Sequence, residues 1–183
     1  GGGGRATAQA LAREGGRIGL MGRGAAGLQG AKRDVERLGG EALILPVDVA
    51  DADAVEAAAA QVEAKFGPTD VWVNNAMCSV FSPIKQMTAE EFKRVTEVTY
   101  LGYDYGTPAA LKRMLPRARG VIVQVGSALA YSGIPLQAPY CAANHAVQGF
   151  GDSPPCAIIQ SNCQVTVPMP RMPARNTPQL GGV

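Results

Sequence analysis

What most constrains this chain is the alternation of short apolar runs with helical stretches. "RIGLMG" (17–22), "EALILPVDV" (41–49), "DVWVNNA" (70–76), "GVIVQVGS" (120–127) and "CQVTVPM" (163–169) are apolar at consecutive positions rather than at every second one. Such runs suit strands covered on both faces, as in a parallel sheet. Between them lie segments with a helical period. "RATAQALARE" (5–14) ends at Gly15-Gly16, and residues 25–38 carry Leu28, Ala31, Val35 and Leu38 before Gly39-Gly40. Residues 51–66 are alanine-rich, with Asp51 and Asp53 at the positive helix end and Gly67-Pro68 as the stop. "TAEE" (88–91) is a capping box for a long helix reaching Pro116, which Gly102, Gly106 and Pro108 are expected to disturb midway. A last helix opens at "YCAANHAVQGF" (140–150). The pattern predicts an α/β fold: a doubly wound parallel sheet with helices on both faces, in one domain over 1–183.

Composition narrows the partners. The 183 residues are 46% hydrophobic and 17% charged with a net charge of +2, enough for one sizeable core. That balance, without a run of like charges, argues against a nucleic-acid or membrane-surface partner. No stretch of about 18 apolar residues predicts a membrane span. No signal peptide is visible ahead of the abrupt start at Gly1. Four cysteines without metal-ligand spacing, and a single histidine, His145, predict reduced thiols in a cytoplasmic protein and no metal site. Prolines concentrate in 154–178, and Pro154-Pro155 interrupt what would otherwise continue as helix.

Ligands of such folds sit at the carboxyl ends of the strands. "GGGGRATA" leads into a helix N-terminus, where free N–H groups and the dipole favour a phosphate; taken alone it reads equally as a terminal linker. Arg23 ends the strand 17–22 with no acid beside it, the arrangement that accommodates a ribose 2′-phosphate, or else a plain solvated residue. Asn74-Asn75 on their own are common turn residues. Ser127 ends one strand and Tyr140 follows thirteen residues later on a helix. No nucleophile elbow surrounds the serine, which argues against a hydrolase. His145 is turned about 100° from Asn144 around the helix, so a structural or surface role is expected of it.

Together these pieces resemble the short-chain dehydrogenases/reductases, over essentially the whole chain. Gly2 and Gly4 match the last two glycines of the family's T-G-x-x-x-G-x-G, and Asp48 with Val49 matches the segment that contacts adenine. Asn74, Asn75 and Ala76 match N-N-A of N-N-A-G, with Met77 in place of the glycine. Ser127 and Tyr140 match the catalytic pair, and Pro173 and Thr177 fall in the loop that touches the nicotinamide. The resemblance implies hydride transfer between NADP(H), favoured over NAD(H), and a small-molecule carbonyl or alcohol. It also implies a homo-oligomer paired through helices near 88–115 and 138–160.

The departures are as informative. Asn144 stands at the lysine of the family's Y-x-x-x-K, and Thr99 at the asparagine of its proton relay. The family's first and last strands have no counterpart in 1–183, which predicts a gap between the strands at 17–22 and 70–74. Two readings therefore compete with an active NADP-dependent enzyme. One is a non-catalytic nucleotide-binding or interaction module that keeps the fold; the other is a decayed or incomplete sequence. On any of them, Asn144 is expected to leave the chemistry crippled.

Overall fold

The computed structural model describes residues 2–152 and the backbone of 162–166. The sequence expectations for Pro154-Pro155, Pro173 and Thr177 fall outside the described residues. Helix α1 (Gly2–Arg13) leads to β1 (Arg17–Gly22), α2 (Ala25–Arg37), β2 (Glu41–Pro46), α3 (Ala52–Phe66) and β3 (Val71–Asn74). Then come α4 (Ala89–Thr96), α5 (Gly102–Met114), β4 (Arg119–Gln124), α6 (Ala138–Asp152) and β5 (Asn162–Thr166). Strands and helices alternate as the apolar runs require, except that two helices separate β3 from β4.

All strand pairs are parallel. Arg17 to Gly22 of β1 run beside Glu41 to Pro46 of β2, and β4 lies between β3 and β5. These are two separate ladders, and among the described residues no strand joins β1 to β3. That is the gap expected from the sequence. It leaves β1 without a buried residue and β3 with Asn74 alone, although both read as core strands.

The period of two sorts the side chains of the first ladder between two helical layers. Ile18, Leu20 and Ala42 pack with Ala8 and Ala12 of α1 and Val35 of α2. Met21, Leu43 and Leu45 face the other way, onto Val55 and Ala58 of α3 and Ala109 of α5. Gly19 lies on that second face. A Cβ there would overlap Val62, so the glycine sets how closely α3 approaches. Helices on both faces of a parallel sheet make this the doubly wound architecture.

Local chemistry explains the helix boundaries. Asp51 caps α3 by accepting from the Ala54 N–H at 3.0 Å, and Gly67 (φ 82°) closes it. Thr88 and Glu91 form the expected reciprocal capping box on α4. The long helix that follows is disturbed earlier than expected. A single π-helical stretch, Glu97–Leu101, separates α4 from α5, which then runs through Gly106 and Pro108. The glycine run also differs from expectation: Gly2 to Gly4 form the first turn of α1 rather than a loop ahead of it.

Candidate functional site

Parallel strands end on the same side of a sheet, so the segments after β3 and β4 emerge together. Asn74 and Gln124, the last residues of these strands, are register partners, and the Val125 N–H continues the ladder onto the Asn74 carbonyl at 2.9 Å. Three residues beyond Gln124, Ser127 accepts a hydrogen bond from the Leu129 N–H at 3.2 Å and caps the short 3-10 turn Ala128–Ala130. That turn packs on α6, which carries Tyr140. Both residues are partly exposed.

The position after Tyr140 by one helical turn is Asn144, only 3% exposed. Its Nδ2 donates to the Tyr140 carbonyl at 2.9 Å, so the amide is folded back onto its own helix and carries no charge. His145 does the same with the Cys141 carbonyl at 2.8 Å and is exposed, in keeping with the structural or surface role expected of it.

Tyr103, which sequence reasoning missed, lies on α5 beneath this pair. It is 3% exposed and its hydroxyl donates to the Val125 carbonyl at 2.8 Å, two residues before Ser127. Burial, and then the neighbouring Tyr140 hydroxyl, push its ionisation well above the ordinary tyrosine range. Tyr103 is therefore a neutral hydrogen-bond donor that braces the end of β4.

Thr99 lies inside the π-helical stretch and is 2% exposed. Its hydroxyl accepts from the Cys78 N–H at 3.1 Å and donates to the Cys78 carbonyl at 3.0 Å. Both capacities of the side chain are thereby used in tying the segment after β3 to the helix. A proton relay through that hydroxyl would have to break one of these bonds.

Asn74 is committed in the same way. Its amide donates to Thr107 Oγ1 at 3.1 Å and to Gln124 Oε1 at 2.8 Å, and its oxygen accepts from Trp72 Nε1 at 2.8 Å. Gln124, fully buried, completes the network by donating to Thr107 at 2.7 Å. Gly106 permits it, since a Cβ there would overlap Asn74 Oδ1. The side chain of Asn74 is thus part of the core, with both amide hydrogens and its oxygen engaged. Sequence reasoning missed this network.

Several residues that the sequence pattern assigns to a dinucleotide lie around α1, the end of β1 and the end of β2. Nothing lies within 4 Å of a Cβ built on Gly2, whereas one on Gly4 would approach Asn75 Nδ2 to 2.9 Å. No acidic residue occupies the first turn of α1. Bare backbone at a twelve-residue helix N-terminus, beside the end of β3, fits a phosphate. Arg23 is exposed and forms no ion pair among the described residues, although its charge reaches the Asp48 carboxylate.

Asp48 follows β2 and receives the Ala50 N–H at 3.1 Å and Arg94 of α4 at 2.6 Å. Burial raises its pKa, but the Ala50 amide and Arg94 outweigh that and hold it below the usual carboxylate range. One oxygen is thus held by Arg94, a partner that sequence reasoning missed. Val49 packs against the start of α5 at Gly102, and Ala76 is half-buried in the segment after β3. Among the described residues no helix is long and apolar enough to cross a membrane.

Comparison with known proteins bears on this arrangement. The sequence model described as short chain dehydrogenase matches residues 1–177. A human protein, dehydrogenase/reductase SDR family member 7, is 37% identical over 108 residues, 59% of this chain and 32% of its own length. This chain therefore spans about a third of that relative. An NAD+-bound xylitol dehydrogenase superposes with a TM-score of 0.86 at 27% identity, over 92% of this chain and 66% of that one. A metagenomic short-chain oxidoreductase in complex with NADP gives 0.86 at 28% identity, over 92% and 76%. With its parallel strand ends, its helix-borne tyrosine and a family match over nearly its whole length, the chain belongs to the short-chain dehydrogenase family.

Proposed function

We propose that residues 1–183 form a single NAD(P)-binding domain whose lineage chemistry is hydride transfer between NADP(H) and a carbonyl or alcohol, impaired here at Asn144. A bound nicotinamide dinucleotide supplies or accepts the hydride in such chemistry. The first turn of α1 would hold its pyrophosphate and Arg23 its 2′-phosphate. Ser127 Oγ would donate to the substrate oxygen, and Tyr140 would give that oxygen a proton during reduction. Tyr103 would hold the end of β4 that leads to Ser127, and Thr99 the segment after β3. We extend the proposal to a homo-oligomer paired through the helices near 88–115 and 138–160, in the cytoplasm.

The observation that carries the impaired reading is the state of Asn144. A buried neutral amide, bonded back to the Tyr140 carbonyl, stands where a positive charge would stabilise a phenolate. The same observation supports the second reading, a nucleotide-binding module without turnover.

Titration separates these. Arg23 is the basis for expecting tighter binding of NADPH than of NADH. An Arg–phosphate contact is charge-assisted, so Arg23→Ala should cost about 1.5–3 kcal/mol with NADPH and little with NADH. Equal affinity for the two, or a ratio unchanged by the substitution, would refute the NADP preference. Binding with no oxidation of NADPH by any ketone or aldehyde selects the second reading.

A further inference from the structure

Single exposed apolar side chains are ordinary, but a contiguous group of them is not. Nine large apolar residues are exposed among the described residues, and six of them fall in two short segments. Met77, Phe81 and Ile84 follow β3; Tyr131, Ile134 and Leu136 lie between β4 and α6. Phe81 and Ile84 are each 71% exposed and Tyr131 is 55% exposed.

The two segments are bound together. The Ser82 N–H donates to the Leu136 carbonyl at 3.0 Å, and Gln137 Nε2 donates to Ser79 Oγ at 3.0 Å. Leu136 makes its bond with φ at 70°, in the left-handed region that a branched side chain avoids. Strain of this kind persists where the surroundings hold it, and it collects at ligand sites. The second segment is bracketed in sequence by Ser127 and Tyr140.

Charge is absent from both. No Asp, Glu, Lys or Arg occurs in 71–84 or in 120–151, and Lys85 is the first cation beyond the first segment. A charged substrate would find no side-chain counter-ion on these walls.

We propose that the apolar wall formed by Phe81, Ile84, Tyr131, Ile134 and Leu136 is the substrate-recognition surface, and that it takes a neutral, predominantly hydrophobic carbonyl compound or alcohol. This rests on the reading of Ser127 and Tyr140 as the reacting end of the site. The occupant is a small molecule because the second segment of the wall runs in the chain from Ser127 to Tyr140, the reacting pair.

The test measures binding directly, so that it does not depend on turnover. Ligand-observed NMR compares acetophenone with pyruvate and with xylulose, with and without NADP+. Acetophenone should bind at least about tenfold more tightly than either competitor, and Phe81→Asp should weaken it by about tenfold. Leu136→Gly removes both the strain and part of the wall. It should keep or raise the melting temperature while weakening acetophenone, which covers the case in which Phe81→Asp fails to fold. Equal binding of pyruvate or xylulose overturns the proposal. So does acetophenone binding that neither variant changes, or sedimentation showing that Phe81→Asp only dissolves an oligomer. Dinucleotide binding without acetophenone binding removes this proposal and leaves the NADP reading standing. Acetophenone binding without dinucleotide binding does the reverse.

Discussion

Replacing Asn144 by lysine should raise turnover and lower stability at the same time. Residues one turn apart on a helix have Cβ atoms about 5–6 Å apart, so an ammonium at 144 can approach a phenolate at 140. At an effective dielectric constant of about 20, unit charges about 5 Å apart attract by roughly 3 kcal/mol. Applied to a phenolate-like transition state, that is about two powers of ten in rate, at 1.36 kcal/mol per tenfold. The cost falls on folding. Position 144 is 3% exposed, and the substitution forfeits the Nδ2 bond to the Tyr140 carbonyl while burying a charge. We expect a loss of about 1–3 kcal/mol in denaturant unfolding. The assay follows NADPH oxidation against a panel of ketones and aldehydes, alongside unfolding curves for both proteins. Brisk turnover by the Asn144 protein would refute the reasoning. So would a lysine variant that binds NADPH, is less stable as expected, and is no faster on a substrate that both convert.

Three further outcomes follow from the packing. Asn74→Ala should cost about 2–4 kcal/mol in chemical denaturation, because it leaves Trp72 Nε1 and Gln124 Oε1 without their partner in the core; a loss below about 1 kcal/mol would mean that the network re-forms without it. Thr99→Val keeps the shape but strips the Cys78 N–H and carbonyl of their shared partner, so amide exchange at Cys78 should quicken and stability fall by about 1–3 kcal/mol. Glu56 is held at about 2 by Arg113 and then Lys112, below its ordinary value near 4.5. A depressed carboxylate stabilises the fold above its unfolded value, so this contribution is complete above about pH 5 and fades as pH falls toward 2. Glu56 is 37% exposed, so screening reduces it to about 1 kcal/mol, and Glu56→Gln should flatten the acid limb of stability against pH by that amount.

The sequence by itself determined the class of fold and the order of its elements. Each apolar run and each helical stripe depends on local periodicity, and the caps at Asp51, Thr88 and Gly67 depend on residues within one turn. The spacing of Ser127 and Tyr140, and the neutral residue at 144, were legible for the same reason. The gap between β1 and β3 was also foreseen, since it follows from which runs are present.

Tertiary structure decided which polar groups are already engaged. Asp48 meets Arg94 across 46 positions, Thr99 meets Cys78 across 21, and Asn74 meets Gln124 across 50. None of these separations carries a sequence signal, because each partner is polar in an ordinary way and only the folded backbone brings it within hydrogen-bond reach. Tyr103 was hidden for the same reason, as nothing in "LGYDYG" shows which tyrosine points to the Val125 carbonyl. The start of α1 at Gly2 was hidden differently: intrinsic propensity argues against glycine in a helix, and packing of α1 on α2 and the first ladder overrides it. Periodicity is a property of neighbours along the chain; hydrogen-bond satisfaction is a property of neighbours in space.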